Sequence, residues 1–483
     1  MRRSLIRWCI LLTVMVASAL PWHTAGTAAE TKPDAKPSLA GVWQGIIKVQ
    51  SIELRVVLRI VAEGDRYKAT LDSPDQGAKG IPFDRITLEG DNVKLELKAI
   101  KASFDGKLTK DGQTIQGKWT QAGTLPLDFK RLEKEPDYSR PQEPKKPYPY
   151  VEEEVTYKND AAGITLAGTL TYLASDKPAP AALLISGSGP QDRNETVMGH
   201  KPFWILADYL TRRGIVVLRV DDRGVGGSTG NTMTSTTADM AADALAGVAY
   251  LKSRKEVDSR EIGLLGHSEG GLVAPLAASL SDDVAFIVML AGTGVAGEQI
   301  LYRQAELIAK AQGADDAARA ASRSTQERMI KAIKESADSA EAEKRVRDIA
   351  AEELAKSATG EEQGPAAKAA MEAQLKLGLS PWFRYFLTYD PQPALRKVKC
   401  PTLVLNGEKD LQVDPKQNLP PIAAALKDGG NPDFEVRELA GLNHLLQHCQ
   451  TGSPSEYSKI DETLAPEALE IIGDWIASKT ARP

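Results

Sequence analysis

Residues 38–133 carry their hydrophobic positions in short β-rich runs, among them "GVWQGIIKV", "ELRVVLRIV", "RYKATLD", "TIQGKWTQ" and "LPLDFKRL". Gly, Asp and Asn break the runs at hairpin spacing, as in "EGDN" and "KDGQ". Many short strands joined by such turns predict a small antiparallel β-barrel or sandwich. The pattern changes after residue 150. "VEEEVTYKN" and "ITLAGTLTYL" read as a hairpin, and then apolar strands alternate with helical stretches. "AALLISGSG", "IVVLRVDDRG", "EIGLLGHS", "AFIVMLAG", "PTLVLNGEKD" and "DFEVREL" are the strands; "FWILADYLTRRG", "ADMAADALAGVAYLKSR", "NLPPIAAALKDGG" and "EALEIIGDWIASK" are the helices. Near-continuous apolar strands between helices predict a mostly parallel sheet covered on both faces, an α/β fold.

Two segments depart from these rhythms. Residues 134–150, "KEPDYSRPQEPKKPYPY", hold five prolines among charges and read as an extended linker between domains. Residues 297–378 are rich in Ala, Glu, Lys and Arg without a strand candidate, and read as a helical cap inserted into the α/β domain, which runs from 151 to 480.

The start of the chain is patterned differently again. A basic "MRRSLIR" precedes the 13-residue apolar run "WCILLTVMVASAL" and the small residues of "TAGTAAE". That reads as a signal peptide over 1–29 with cleavage near Ala29, hence an exported, periplasmic protein with no membrane span once the signal is gone. Two cysteines then remain, Cys400 and Cys449; their places on opposite faces of the sheet argue against a disulfide. The 483-residue chain has room for two or three domains, and its net charge of −5, with both signs mixed and no basic stripe, argues against nucleic acid as a partner. The sequence leaves the oligomeric state open.

Candidate chemistry centres on Ser268, in Gly266-His267-Ser268-Glu269-Gly270 between a predicted strand and a predicted helix. A tight turn there exposes the serine hydroxyl, and glycines remove side chains from a place without room for them. A serine hydroxyl needs a base, and the chain has five histidines. His23 lies in the signal, and His267 adjoins Ser268 with its ring expected to point elsewhere. Of His200, His444 and His448, the order of elements selects His444, in the loop after the last strand. His448, one helical turn on, reads as a surface or packing residue, and the His-x-x-x-His pair lacks the acidic partner motif of a metal site. Asp410, just past the strand "TLVLNG", is the acid that orients the imidazole, with Glu408 and Asp414 as alternatives. The oxyanion donors are the N–H groups of Glu269 and Ser188, the latter in the glycine-rich "GSGPQDRNE".

These residues resemble the α/β-hydrolase superfamily, and most of all its exported esterases and serine-aminopeptidase-like hydrolases. "GHSEGG" (266–271), "DDRGVGGS" (221–228), "NGEKDLQV" (406–413) and "GLNH" (441–444) carry the resemblance. The usual His-Gly of the oxyanion loop is here Ser186-Gly187. The resemblance implies a Ser268–His444–Asp410 serine hydrolase acting on carboxylic esters through an acyl-enzyme, with no cofactor. It also implies that Arg223 and Ser228 brace the active-site loops, where a charged turn and a helix cap are the alternatives. A peptidase on the same triad would need an acid to hold the substrate amine; Glu269, Glu195 and Glu298 are the candidates. A thioesterase, an acyltransferase, or a lipid- or glycan-binding protein acting through the β domain stay open. The aromatic stretch "PWFRYFLTY" (381–389) either lines an acyl pocket or packs the cap onto the core.

Overall fold

The computed structural model describes residues 38–480 except 50, 51, 65, 77, 122, 357–371 and 373–374. The predicted signal peptide, with His23, lies outside the described residues, as does part of the predicted cap.

The first domain is one antiparallel sheet. Its strands are β1 (Gly41–Val49), β2 (Ile52–Glu63), β3 (Arg66–Ser73), β4 (Ala78–Pro82), β5 (Arg85–Glu89), β6 (Asn92–Leu97), β7 (Ala102–Leu108), β8 (Thr114–Thr120) and β9 (Thr124–Leu132), in the order β4-β3-β2-β1-β9-β8-β7-β6-β5. The two edge strands, β4 and β5, are consecutive in the chain, so the short link between them curls the sheet round as a half-barrel. This is the barrel alternative of the sequence reading. β6 shows the cause: its residues alternate between exposed and buried, so every second side chain enters one interior. Trp43, Phe104, Ile115 and Phe129 fill that interior.

The second sheet has eight strands: β10 (Val151–Asn159), β11 (Ile164–Tyr172), β12 (Ala179–Ile185), β13 (Val216–Val220), β14 (Val257–His267), β15 (Phe286–Leu290), β16 (Thr402–Gly407) and β17 (Phe434–Leu439). The order is β10-β11-β13-β12-β14-β15-β16-β17. The β10–β11 hairpin and its junction with β13 are antiparallel; every later pairing is parallel. Neighbouring residues serve opposite faces. Leu183, Leu264 and Ile287 pack under α2 (Thr237–Lys252) and α3 (Gly270–Ala278). Leu184, Leu265 and Val288 pack under α1 (Pro202–Arg212) and the C-terminal helix Pro466–Thr480. Burial on both faces explains the unbroken apolar runs.

After β15 the chain leaves the sheet for α4 (Gly297–Ala311), α5 (Asp316–Glu335) and α6 (Ser339–Lys356), and returns through an aromatic helix, Pro381–Thr388. These share a core of their own, with Met329, Ile330, Trp382 and Phe383 packed over Leu272 of α3.

The predicted linker is docked on the second domain. The Arg140 guanidinium donates to the carbonyls of Ile460, Met198 and Ser458, and the Gln142 amide bonds the backbone of Thr463 and Leu464. Among the described residues no helix is long and apolar enough to cross a membrane.

Candidate active site

Ser268 follows the last residue of β14 and precedes α3. Its φ is +54°, which an L-residue adopts only where its surroundings hold it. The holding contacts are the bond from the Ser268 N–H to the Leu290 carbonyl (2.8 Å) and the bond from the Gly271 N–H to the Ser268 carbonyl (3.0 Å). Glycine is required on both sides. A Cβ on Gly266 would stand 1.9 Å from the Gly270 carbonyl oxygen, and one on Gly270 would stand 2.1 Å from that of Ile185. The helix therefore starts directly against the strand, and the serine stands half-buried at the carboxyl end of the sheet, where α/β folds place their ligands.

Asp410 and His444 come to the same end of the sheet, in the loops after β16 and β17. His444 Nδ1 lies 2.8 Å from Asp410 Oδ2, and both side chains are buried. Asp410 Oδ1 accepts the N–H groups of Gln412 and Val413, each at 2.8 Å, so the carboxylate is locked with one oxygen turned to the imidazole. With Nδ1 occupied, Nε2 is the nitrogen free to take a proton. The His444 loop is fixed by Asn443, whose Oδ1 accepts the Leu445 and Gln447 N–H groups.

Gly187 brings the loop after β12 against the serine; a Cβ there would be 3.1 Å from Ser268 Cβ. Its own N–H is taken by Glu195 Oε1 at 2.7 Å, so it has no donor to offer a ligand. The next residue, Ser188, gives its hydroxyl to Glu269 Oε2 at 2.8 Å. The Glu269 carboxyl is 1% exposed and also accepts from Thr237 Oγ1 and from Trp382 Nε1 of the aromatic helix. Burial pushes this carboxyl above its ordinary range, against those three neutral donors. Asp222, below the loop, accepts from the Ser186 hydroxyl and the Gln191 N–H, yet burial pushes it up to about 8.

A family model for alpha/beta hydrolases matches residues 182–456, more than half of the chain. The chain belongs to the alpha/beta hydrolase family. Over 126 residues it is 35% identical to esterase EstD of Thermotoga maritima, a match that covers 26% of this chain and 30% of that relative's length. A solved esterase of Pyrococcus furiosus aligns over 69% of this chain and 92% of its own, at 15% identity and a TM-score of 0.42. The proline iminopeptidase of Mycobacterium smegmatis aligns over 68% and 99%, at 16% identity and a TM-score of 0.41.

The other candidates in this chain have different partners. Glu408 is exposed and bonds the Gly441 N–H, and Asp414 caps the helix Pro415–Asp428 while pairing with Arg303. His200 is buried between the Thr463 hydroxyl and the Tyr457 carbonyl. His448 is half-exposed between Glu462 and Glu467. Arg223 ties the loop after β13 to Asp243 on α2. Ser228 caps no helix: its hydroxyl donates to the Asp221 carbonyl and accepts the Ala167 N–H, stitching that loop to β11. Cys400 and Cys449 are both free. Cys400 leads into β16 and Cys449 lies beyond β17, so they stand at opposite ends of the parallel strands. The aromatic stretch packs cap on core: Trp382 and Phe383 are buried over Leu272. Among the described residues, no three His, Cys, Asp or Glu side chains are grouped to hold a metal ion.

Sequence reasoning missed the web beneath the serine. His267 bonds Glu195 and the His444 backbone, and Arg193 pairs with Asp221 and Glu154. Glu195 and Arg193 lie in an irregular loop, where no periodicity announces a partner.

Proposed function

We propose that this hydrolase cleaves carboxylic esters of small or medium size through an acyl-enzyme on Ser268. The observation that carries the reading is the 2.8 Å Asp410–His444 bond at the end of the sheet where Ser268 is held at positive φ. His444 Nε2 takes the Ser268 hydroxyl proton as Oγ attacks the ester carbonyl. The Ser188 and Glu269 N–H groups receive the oxyanion, and Asp410 stabilises the imidazolium. His444 returns the proton to the departing alcohol; it then takes a proton from water, which attacks the acyl carbon and frees the acid and Ser268. An exported, periplasmic location goes with this reading through the N-terminal pattern.

The three acids considered for holding a peptide's amine favour esters over peptides. Glu269 is enclosed by three donors, Glu195 is engaged by Gly187 and His267, and Glu298 is paired with Lys334 at 2.7 Å. The packed interior of the β domain favours a structural role for it over lipid or glycan binding.

The test is hydrolysis of p-nitrophenyl esters from acetate to palmitate, beside alanine and proline p-nitroanilides, with Ser268→Ala as control. Ester cleavage by the wild type alone supports the reading. Cleavage of anilides only would replace it with the peptidase.

A further inference from the structure

His267 precedes the proposed nucleophile, and the mechanism does not use it. It is buried, and its two nitrogens reach two different loops. Nδ1 lies 2.9 Å from Glu195 Oε1, and Nε2 lies 2.9 Å from the His444 carbonyl oxygen. Its ring stands 4.8 Å, centroid to centroid, from that of His444. Glu195 is 3% exposed and sits at φ +51°. The Oε1 that faces His267 also accepts the Gly187 N–H, the backbone that presses on Ser268.

These contacts fix the protons. A carbonyl only accepts, so Nε2 carries a hydrogen. With Glu195 as a carboxylate, Oε1 accepts both the Gly187 N–H and the hydrogen on Nδ1. The ring is then an imidazolium paired with a carboxylate. Burial works against that charge, but Glu195, the His444 carbonyl and Asp410 outweigh it, and the His267 pKa is raised. The pair thus ties the oxyanion loop, the nucleophile turn and the histidine loop through charge-assisted bonds, which are stronger than neutral ones.

We propose that His267 and Glu195 form a second, non-reacting dyad that positions His444 and the oxyanion loop against Ser268 for ester hydrolysis. The proposal rests on the function given above. His267 and Glu195 are positioning residues: they hold the backbone of one catalytic loop and the approach of another, and neither touches substrate. Misplacing a reacting group by about 1 Å costs on the order of a hundredfold in rate.

Glu195→Gln is the sharpest test, because the amide oxygen still accepts the Gly187 N–H while the charge is gone. With a p-nitrophenyl ester, kcat falls roughly ten- to a hundredfold and KM stays within about twofold, since the loss is in alignment rather than binding. His267→Gln has a similar effect, and the double variant is little worse than either, because both remove one unit. Low-field proton NMR supplies an independent readout. A resonance from the His267 Nδ1 proton is present in the wild type and in Ser268→Ala, and is lost in Glu195→Gln and His267→Gln. If those two variants fail to fold, Asp410→Asn, which removes the His444 Nδ1 proton, identifies the resonance by its persistence, and its absence there overturns the dyad. A Glu195→Gln enzyme with wild-type kcat, where Ser268→Ala is dead, overturns the dyad alone. Ester hydrolysis that survives Ser268→Ala overturns the proposed function and the dyad's role with it.

Discussion

Asp410 shows how much rests on single atoms. Its Oδ1 is held by two backbone N–H groups and its Oδ2 faces His444 Nδ1. In Asp410→Asn the amide oxygen keeps the backbone pair, so the NH2 group is turned to the imidazole. That forces the hydrogen of His444 onto Nε2, the nitrogen that accepts the serine proton in the proposed mechanism. We expect kcat to fall about 10⁴-fold with the fold intact, as measured by steady-state kinetics beside circular dichroism. Ser268→Ala should cost at least as much. The triad candidates were legible because each lies where a recognisable strand ends. The partners beneath them were not. "GHSEGG" announces Ser268, but nothing local tells that His267 meets Glu195, 72 residues earlier. Such pairs are made by the sheet order, which brings β12 beside β14.

At the scale of elements, strand–helix contact depends on glycine. The 1.9 Å that a Gly266 Cβ would leave to the Gly270 oxygen cannot be relieved, because backbone stands on both sides. Gly266→Ala should yield insoluble or inactive protein, read as the soluble fraction and the remaining ester hydrolysis. Trp382 links a second pair of elements, the aromatic helix and the start of α3. Trp382→Phe keeps the ring in the cap core but takes a donor from the buried Glu269 carboxyl. A loss of about 1–3 kcal/mol is expected, measured by urea unfolding, with kcat reduced if the cap holds the turn in place. The α/β elements were easy to read because strands buried on both faces and helices ended by glycine leave strong patterns. The half-barrel was not separable from a sandwich, because both alternate with the same period; only the pairing of β1 with β9 decides between them.

For the whole molecule, the docking of the linker has an acid-sensitive component. Arg140 grips the carbonyls of Ser458 and Ile460, and His200 is wedged beneath the same segment. His200 Nε2 donates to the Tyr457 carbonyl, and in the neutral ring Nδ1 accepts from the Thr463 hydroxyl. Burial, helped by the nearby Arg140 charge, lowers its pKa from the usual 6.5 to about 4. Between those values the unfolded chain binds the proton and the folded protein does not. The stabilisation is complete above about pH 6.5 and is lost as pH falls towards 4, by on the order of 3 kcal/mol. The wild type should therefore lose more thermal stability from pH 7 to pH 4.5 than His200→Gln. Equal losses would contradict this. Composition told of several domains but nothing of this seam, where the bonds to Tyr457, Ile460 and Thr463 join residues more than 250 positions apart.

The central claim is that Ser268 is the nucleophile, and an acylating or phosphorylating probe tests it directly. The full-length protein would be treated with diethyl p-nitrophenyl phosphate, and the modified residue located by peptide mass spectrometry. The account predicts one diethylphosphoryl group on Ser268, loss of ester hydrolysis in step with labelling, and no label on Ser268→Ala. A label on another residue, or inhibition that leaves Ser268 unmodified, would contradict it.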